Sequence, residues 1–288
     1  MTSEDSRMIA VVTGASTGLG RALSQCLTAQ GLHVVGIARD KVQLNDTAQG
    51  CPSGQFTALV GDVSQPDVMR DIACHIAGHI GPVSILMNNA VIHTHRPFVG
   101  ARAEDITDHV YVNCCGQINA TAAILPAMME QGRGRIVNVG SFAGEGPILG
   151  NMGYAVSKAG ARAFSRALVV ELAHCLPTIT VSEWIPGILA TRSGVPSGMP
   201  PQKAAPWGVA LALDFSSQLH GKTFLKDQEL RAPLSLRRRL KDAFLLRSWP
   251  KPHMLVPQPQ GNVQDAGGQP ALLRTSEHWS RRSPSQYP

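Results

Sequence analysis

Tyr154 and Lys158 stand four residues apart in the stretch GYAVSKAGARAF, residues 153–164. On a helix, positions i and i+4 are neighbours, so this phenol and this ammonium can meet. The pair has two readings. One is packing, with the lysine stem laid along an aromatic ring among small residues. The other is a proton donor with its tuning charge. An unperturbed tyrosine titrates at about 10 and is a poor acid–base group near neutrality. A cation beside it favours the phenolate and lowers that value. The pair alone does not separate the two readings.

A second chemical pattern lies at the other end of the chain. The first apolar run, MIAVVT (8–13), leads into TGASTGLG (13–20), which carries Gly14, Gly18 and Gly20 at a strand-to-helix turn. Such glycines allow a tight turn, close backbone approach to a pyrophosphate and close helix–strand packing. The helix that follows offers free N–H groups and a positive dipole end to phosphates. The second apolar run ends in GIARD. An acidic residue at that point suits a ribose 2′-hydroxyl, whereas Arg39 suits a 2′-phosphate, which a guanidinium can fork. NADP(H) is therefore the preferred cofactor and NAD(H) the alternative; an ordinary surface pair of Arg39 with Asp40 is the competing reading. Asp62-Val63 and Asn88-Asn89-Ala90 end the third and fourth apolar runs, on the rim where open α/β sheets bind ligands.

The elements that must position these residues alternate. Strand-like runs are MIAVVT (8–13), HVVGIA (33–38), FTALVG (56–61), VSILMN (83–88), GRIVNVG (134–140), TITVSEW (178–184) and KTFLK (222–226). Helix-like segments run from Leu19 to Gln30, Pro66 to Gly78, Glu104 to Glu130, Met152 to Cys175 and Lys203 to Gln218. Near-continuous apolar strands point to a parallel sheet buried on both faces, and alternation implies right-handed crossovers. The expected fold is α/β: a three-layer, doubly wound, parallel seven-stranded sheet, the Rossmann fold, over residues 1–230.

The net charge of +6 belongs to one end of the chain. Residues 1–230 carry 16 Lys/Arg against 17 Asp/Glu, and residues 231–288 carry 10 against 3. A near-neutral body argues against nucleic-acid binding. The basic, Pro-rich extension 231–288 reads as partly disordered, particularly from Trp249. LSLRRRLKDAFLLR (234–247) fits a short basic amphipathic helix, for docking on the body or on an anionic surface; a solvated face is the simpler reading, and membrane association through the tail the lesser one. Apolar runs are too short to span a bilayer, and MTSEDSR is not signal-like. The six cysteines lack a CxxC pair. Reduced thiols and a cytoplasmic protein are expected.

Taken together, residues 7–227 resemble the short-chain dehydrogenase/reductase family. The resemblance rests on T-G-x-x-x-G-x-G at 13–20, Asp62-Val63, Asn88-Asn89-Ala90, Asn113, Ser141, Tyr154-x-x-x-Lys158, and Pro186-Gly187 followed by Thr191. One departure is Val91, where the family commonly has glycine. The resemblance implies a proton relay of Asn113, Ser141, Tyr154 and Lys158. Tyr154 would be the general acid/base, Ser141 would bind the substrate oxygen, and Asn113 would hold a water linking Lys158 towards solvent. Cofactor contacts are implied at Gly14, Ser16, Thr17, Gly18, Leu19, Gly20, Arg39, Asp62, Val63, Asn89, Ala90, Tyr154, Lys158, Pro186, Gly187, Ile188 and Thr191. The implied reaction interconverts a small-molecule carbonyl and its secondary alcohol by hydride transfer; a catalytically silent dinucleotide-binding regulator or scaffold is the alternative. The resemblance also implies a homodimer or homotetramer, since the long helices 104–130 and 152–175 correspond to the family's usual dimer-forming pair.

Three features carry less chemistry. His93-x-His95 lacks an acidic or cysteine partner at useful spacing, so it reads as pocket lining and no metal is expected. Cys114-Cys115 reads as packing and Arg237 to Arg239 as a solvated face. The segment RSGVPSGMPPQ (192–202) is too rich in Pro and Gly to build a helical lid. An open pocket is expected, completed by residues 231–248 or by a neighbouring subunit.

Overall fold

The computed structural model describes residues 8–231 and 251–258. Among the described residues, eight strands form one sheet in the order β3-β2-β1-β4-β5-β6-β7-β8. They are β1 Ile9–Thr13, β2 His33–Ala38, β3 Phe56–Val60, β4 Val83–Asn88, β5 Gly134–Val139, β6 Ile179–Ile185, β7 Thr223–Leu225 and β8 Gln228–Leu230. The first seven pair in parallel, and β8 turns back antiparallel on β7. The doubly wound class holds, with eight strands in place of seven. The eighth, QEL, has no apolar run to announce it. Lys226, with φ of 54°, makes the tight reversal that leads into it.

The helices are α1 Gly18–Ala29, α2 Lys41–Gln49, α3 Pro66–His79, α4 Ala103–Val110, α5 Gly116–Gln131, α6 Met152–Cys175 and α7 Pro201–Leu213. One core joins α1, α2 and α7 to Ala10, Val12, Val34, Ile85, Met87, Val137 and Trp184. The other joins α3, α5 and α6 to Ile9, Val11, Val35, Ile37, Leu86, Ile136 and Val181. Alternate strand residues thus face opposite layers, which explains why the inner strands read as unbroken apolar runs.

Two helical expectations change. Helix α2 was not expected, because its sequence is polar and buries only Leu44 and Thr47. Asp40 starts it by accepting a hydrogen bond from the Gln43 amide. The expected helix 104–130 is divided by a π-turn over Tyr111–Cys115. Such turns insert a residue into the ladder and re-aim side chains. Here the turn carries Asn113.

Strand β1 pairs with both β2 and β4, so the chain reverses its winding direction there. The carboxyl ends of β1, β4, β5 and β6 open around this switch point, where doubly wound sheets bind ligands.

Residues 251–258, expected to be loose, dock on the last strand. The Glu229 amide donates to the His253 carbonyl at 2.9 Å, and the Leu255 amide to the Asp227 carbonyl at 2.7 Å. Leu255 is buried in the core beside α7. The segments 234–247 and 259–288, including any closure of the pocket by 231–248, lie outside the described residues apart from Arg231.

Candidate active site

The glycine loop is built for close backbone approach. Gly14 and Gly18 adopt positive φ, 67° and 53°. A Cβ at Gly20 would fall 2.1 Å from the Gly14 carbonyl oxygen, so only glycine fits. Thr17 makes no side-chain cap for α1, which leaves the first-turn amides to another acceptor. Thr13 ties this loop to β4: its Oγ1 accepts from the amides of Asn89 and Ala90, each at 3.0 Å. Asn89 Nδ2 returns a bond to the Thr13 carbonyl at 2.9 Å. Ser16, at the loop's tip, gives its carbonyl to Arg21 at 2.7 Å. Opposite, a Cβ at Gly18 would lie 3.1 Å from Thr191 Cγ2, so the loop and the segment after β6 face each other closely. The bare backbone, uncapped amides and facing Thr191 fit a dinucleotide pyrophosphate.

Around this cradle, Leu19 packs into the core beneath the loop. Arg39 is exposed and reaches Asp62 Oδ2 at 3.7 Å; Asp40, its partner in the competing reading, caps α2. Asp62 also accepts from the Ser64 amide and hydroxyl. The Val63 carbonyl accepts from Asn119 Nδ2 at 2.9 Å. Pro186 and Gly187 follow β6, with Gly187 at φ 91°, and Ile188 is exposed beyond them.

Tyr154 and Lys158 lie on one face of α6, with the Lys158 Nζ 5.9 Å from the phenol ring centre. The ammonium donates to the Val139 carbonyl at 2.8 Å, at the end of β5. Burial lowers the Lys158 pKa to about 8, while the Glu183 carboxylate works to raise it. Burial pushes the Tyr154 phenol up, opposed by a hydrogen bond with the Ser141 side chain. Ser141 also accepts from the Ala143 amide at 3.2 Å, which starts a short 3₁₀ turn after β5.

Asn113 is buried, but its amide is committed to protein. It accepts from the Ile92 amide at 2.8 Å and donates to the Ile92 carbonyl and to Ser157 Oγ, each at 2.9 Å. The side chain therefore clamps the segment after β4 onto α6. Close packing makes this possible: a Cβ at Gly153 would meet the His109 ring at 2.7 Å, and one at Gly160 would meet Cys114 Sγ at 3.0 Å.

The predicted residues thus converge from β1, β4, β5, β6, the π-turn and α6 on one rim. Sequence reasoning missed Glu183, Asn119 and Asn151, named Thr13 only as the first residue of the glycine motif, and gave His93 only a general lining role. Glu183 sits inside strand β6, where a carboxylate in an apolar run was the available signal. Burial pushes its pKa up, and Arg162 opposes this from 3.3 Å. A Cβ at Gly140 would fall 2.4 Å from Glu183 Oε1, so that carboxylate lies one residue from the carbonyl that receives Lys158. Among the described residues no group of three or more His, Cys, Asp or Glu is disposed to hold a metal. No described helix is long and apolar enough to cross a membrane.

A parallel doubly wound sheet with a glycine cradle and a Tyr–Lys pair on one helix face, its lysine buried, defines a dinucleotide-dependent oxidoreductase. The sequence profile of the short chain dehydrogenase family matches residues 8–198, and the chain belongs to that family. It is an NAD(P)-dependent oxidoreductase of the carbonyl/alcohol class. It is 30% identical over 231 residues to a 3-oxoacyl-(acyl-carrier-protein) reductase of Salmonella typhimurium, covering 75% of this chain and 93% of the relative. It is 33% identical over 186 residues to the Escherichia coli protein of that name, covering 64% and 74%. Carbonyl reductase family member 4 of Danio rerio is 33% identical over 183 residues, covering 64% and 76%.

Proposed function

We propose that the chain is an NADP(H)-preferring ketoreductase in which Tyr154 is the general acid. The observation that carries this reading is the convergence of the Tyr154 phenol, the Ser141 hydroxyl and the buried Lys158 ammonium at the end of β5, beside the glycine cradle. A nicotinamide dinucleotide held by the glycine cradle would supply the hydride for the carbonyl carbon. Ser141 hydrogen-bonds the carbonyl oxygen and fixes its place. As that oxygen gains charge, Tyr154 gives it the phenolic proton, and Lys158 stabilises the phenolate left behind. The Val139 carbonyl orients the ammonium. Asn113 acts by clamping Ile92 and Ser157, which keeps the β4 segment and α6 in register. Gly14, Ser16, Thr17, Gly18, Leu19 and Gly20 would cradle the pyrophosphate. Asp62, Val63, Asn89 and Ala90 would face the adenosine half, and Pro186, Gly187, Ile188 and Thr191 the nicotinamide half. The names of the relatives, 3-oxoacyl and carbonyl reductases, support the reductive direction.

The NADP(H) preference rests on Arg39, an exposed guanidinium at the end of β2, ready to turn from Asp62 to a 2′-phosphate. Exposed Tyr111, Val156 and Val170 on the α4–α6 side support a homo-oligomer formed through those helices, testable by light scattering.

The deciding experiment follows the loss of reduced-nicotinamide absorbance with a panel of ketones and aldehydes, using wild type and Tyr154→Phe. Removing the acid should lower kcat by about 10²–10⁴-fold with little change in cofactor affinity. Turnover that survives the substitution overturns the assignment.

A further inference from the structure

The segment after β4 is held at nearly every residue. Asn113 grips Ile92 by both its amide and its carbonyl. The Thr94 amide donates to His109 Nε2 at 3.1 Å, while His109 Nδ1 donates to the Asp105 carbonyl. The Arg96 amide donates to the Gly150 carbonyl at 2.7 Å. At the centre of this braced strip, the His93 ring lies 4.5 Å from the Tyr154 ring, tilted by 39°.

Both nitrogens of His93 are engaged. Nδ1 lies 2.8 Å from the Ser193 carbonyl, which can only accept, so Nδ1 carries the hydrogen. Nε2 lies 3.1 Å from the Asn151 side-chain amide, and His95 Nδ1 meets the same amide atom at 3.1 Å. The shared atom is Asn151 Oδ1, so this one side-chain amide links both histidines to the residue that precedes α6. Asn151 is the buried residue immediately before α6, three positions from Tyr154. Gly150, at φ 78°, has no Cβ because one would stand 2.4 Å from the His95 ring.

Ser193 belongs to the loop that follows Thr191, and its carbonyl brings that loop to the His93 ring beside Tyr154. This loop closes on itself: the Ala190 amide donates to Met199, the Met199 amide to Ile188, and the Val195 amide to Leu189. Its described side-chain link to the β4 strip is His93.

We propose that His93 is a positioning residue: its ring backs the Tyr154 phenol, and its Nδ1–H latches the 189–199 loop over the substrate end of the site. One side chain thereby couples the loop to the proton donor, in place of a helical lid.

The kinetic part of the test rests on the reductase reading, whereas the proteolytic part does not. Arg192, exposed and next to Ser193, gives trypsin a bond that reports loop opening. His93→Phe keeps a ring against Tyr154 and loses the latch. Cleavage between 192 and 193, followed by mass spectrometry, should accelerate by about tenfold, the effect of one hydrogen bond of ordinary strength. KM for the carbonyl substrate should rise by a similar factor with kcat within about twofold. His93→Gln restores a donor towards Ser193 and should recover protection of Arg192. His93→Ala removes both functions and should also lower kcat. Equal cleavage and an equal KM in His93→Phe and wild type overturn the latch. An unfolded His93→Phe, recognised by its circular dichroism, passes the decision to His93→Gln against His93→Ala. Equal Arg192 cleavage in those two then overturns it. A wild type without reductase activity overturns the kinetic reading alone, because protection of Arg192 is measured without turnover.

Discussion

Lys158 Nζ stands 5.9 Å from the centre of the Tyr154 ring, one helical turn away, with its ammonium bonded to the Val139 carbonyl. The charge is aimed by the end of strand β5, so α6 and the sheet together set the distance between the cation and the phenol.

This arrangement gives the reaction a pH limb. Burial brings Lys158 to about 8, whereas burial raises Tyr154 above its ordinary value, opposed by Ser141. As pH rises, the ammonium is therefore lost before the phenol, and reductive kcat/KM should fall above about pH 8. Glu183 raises the Lys158 value, so Glu183→Gln should move the limb to lower pH. A pH–rate profile with an unmoved limb would contradict this coupling.

Cofactor choice should follow Arg39. Arg39→Ser removes the fork for a 2′-phosphate and should weaken NADPH binding about 10–100-fold, the loss expected for a charge-assisted contact. NADH binding should change by less than about twofold, because the 2′-hydroxyl needs no cation. Titration of reduced-nicotinamide fluorescence measures both.

The docked segment 251–258 should contribute to stability. Leu255 is 5% exposed in the core beside α7. Leu255→Ala should destabilise by about 2–4 kcal/mol, through lost transfer energy and the cavity left behind. Denaturant unfolding at constant m-value checks this.

Glu229 makes that docking acid-sensitive. Burial pushes its pKa up, but hydrogen bonds from Arg231, the His253 amide and Lys222 outweigh this and bring it to about 2. An unfolded glutamate titrates at about 4.3. The stabilisation is fully present above that value and is lost as pH falls through the folded one. Thermal melts of wild type and Glu229→Gln should differ at pH 7 and converge between about pH 4.5 and 2.

Much of the fold was legible as local pattern. The β-branched runs marked β1 to β7, and spaced glycines marked the cradle, because backbone conformation at Gly14 and Gly18 is a local demand. Helix α2 escaped because its stability comes from the Asp40 cap and two buried contacts, without an apolar stripe. Strand β8 escaped because three residues pair only when β7 is already in place.

The sequence by itself determined the family, the sheet class and the presence of a tyrosine and a lysine on one helix face. Tertiary structure decided how they are used. The π-turn that aims Asn113, the carboxylate of Glu183 near Lys158, and the grip of His93 on Ser193, 100 residues away, all join distant segments. Periodicity describes only neighbours along the chain. Contacts across the sheet arise when β1, β4, β5 and β6 bring their carboxyl ends to one rim.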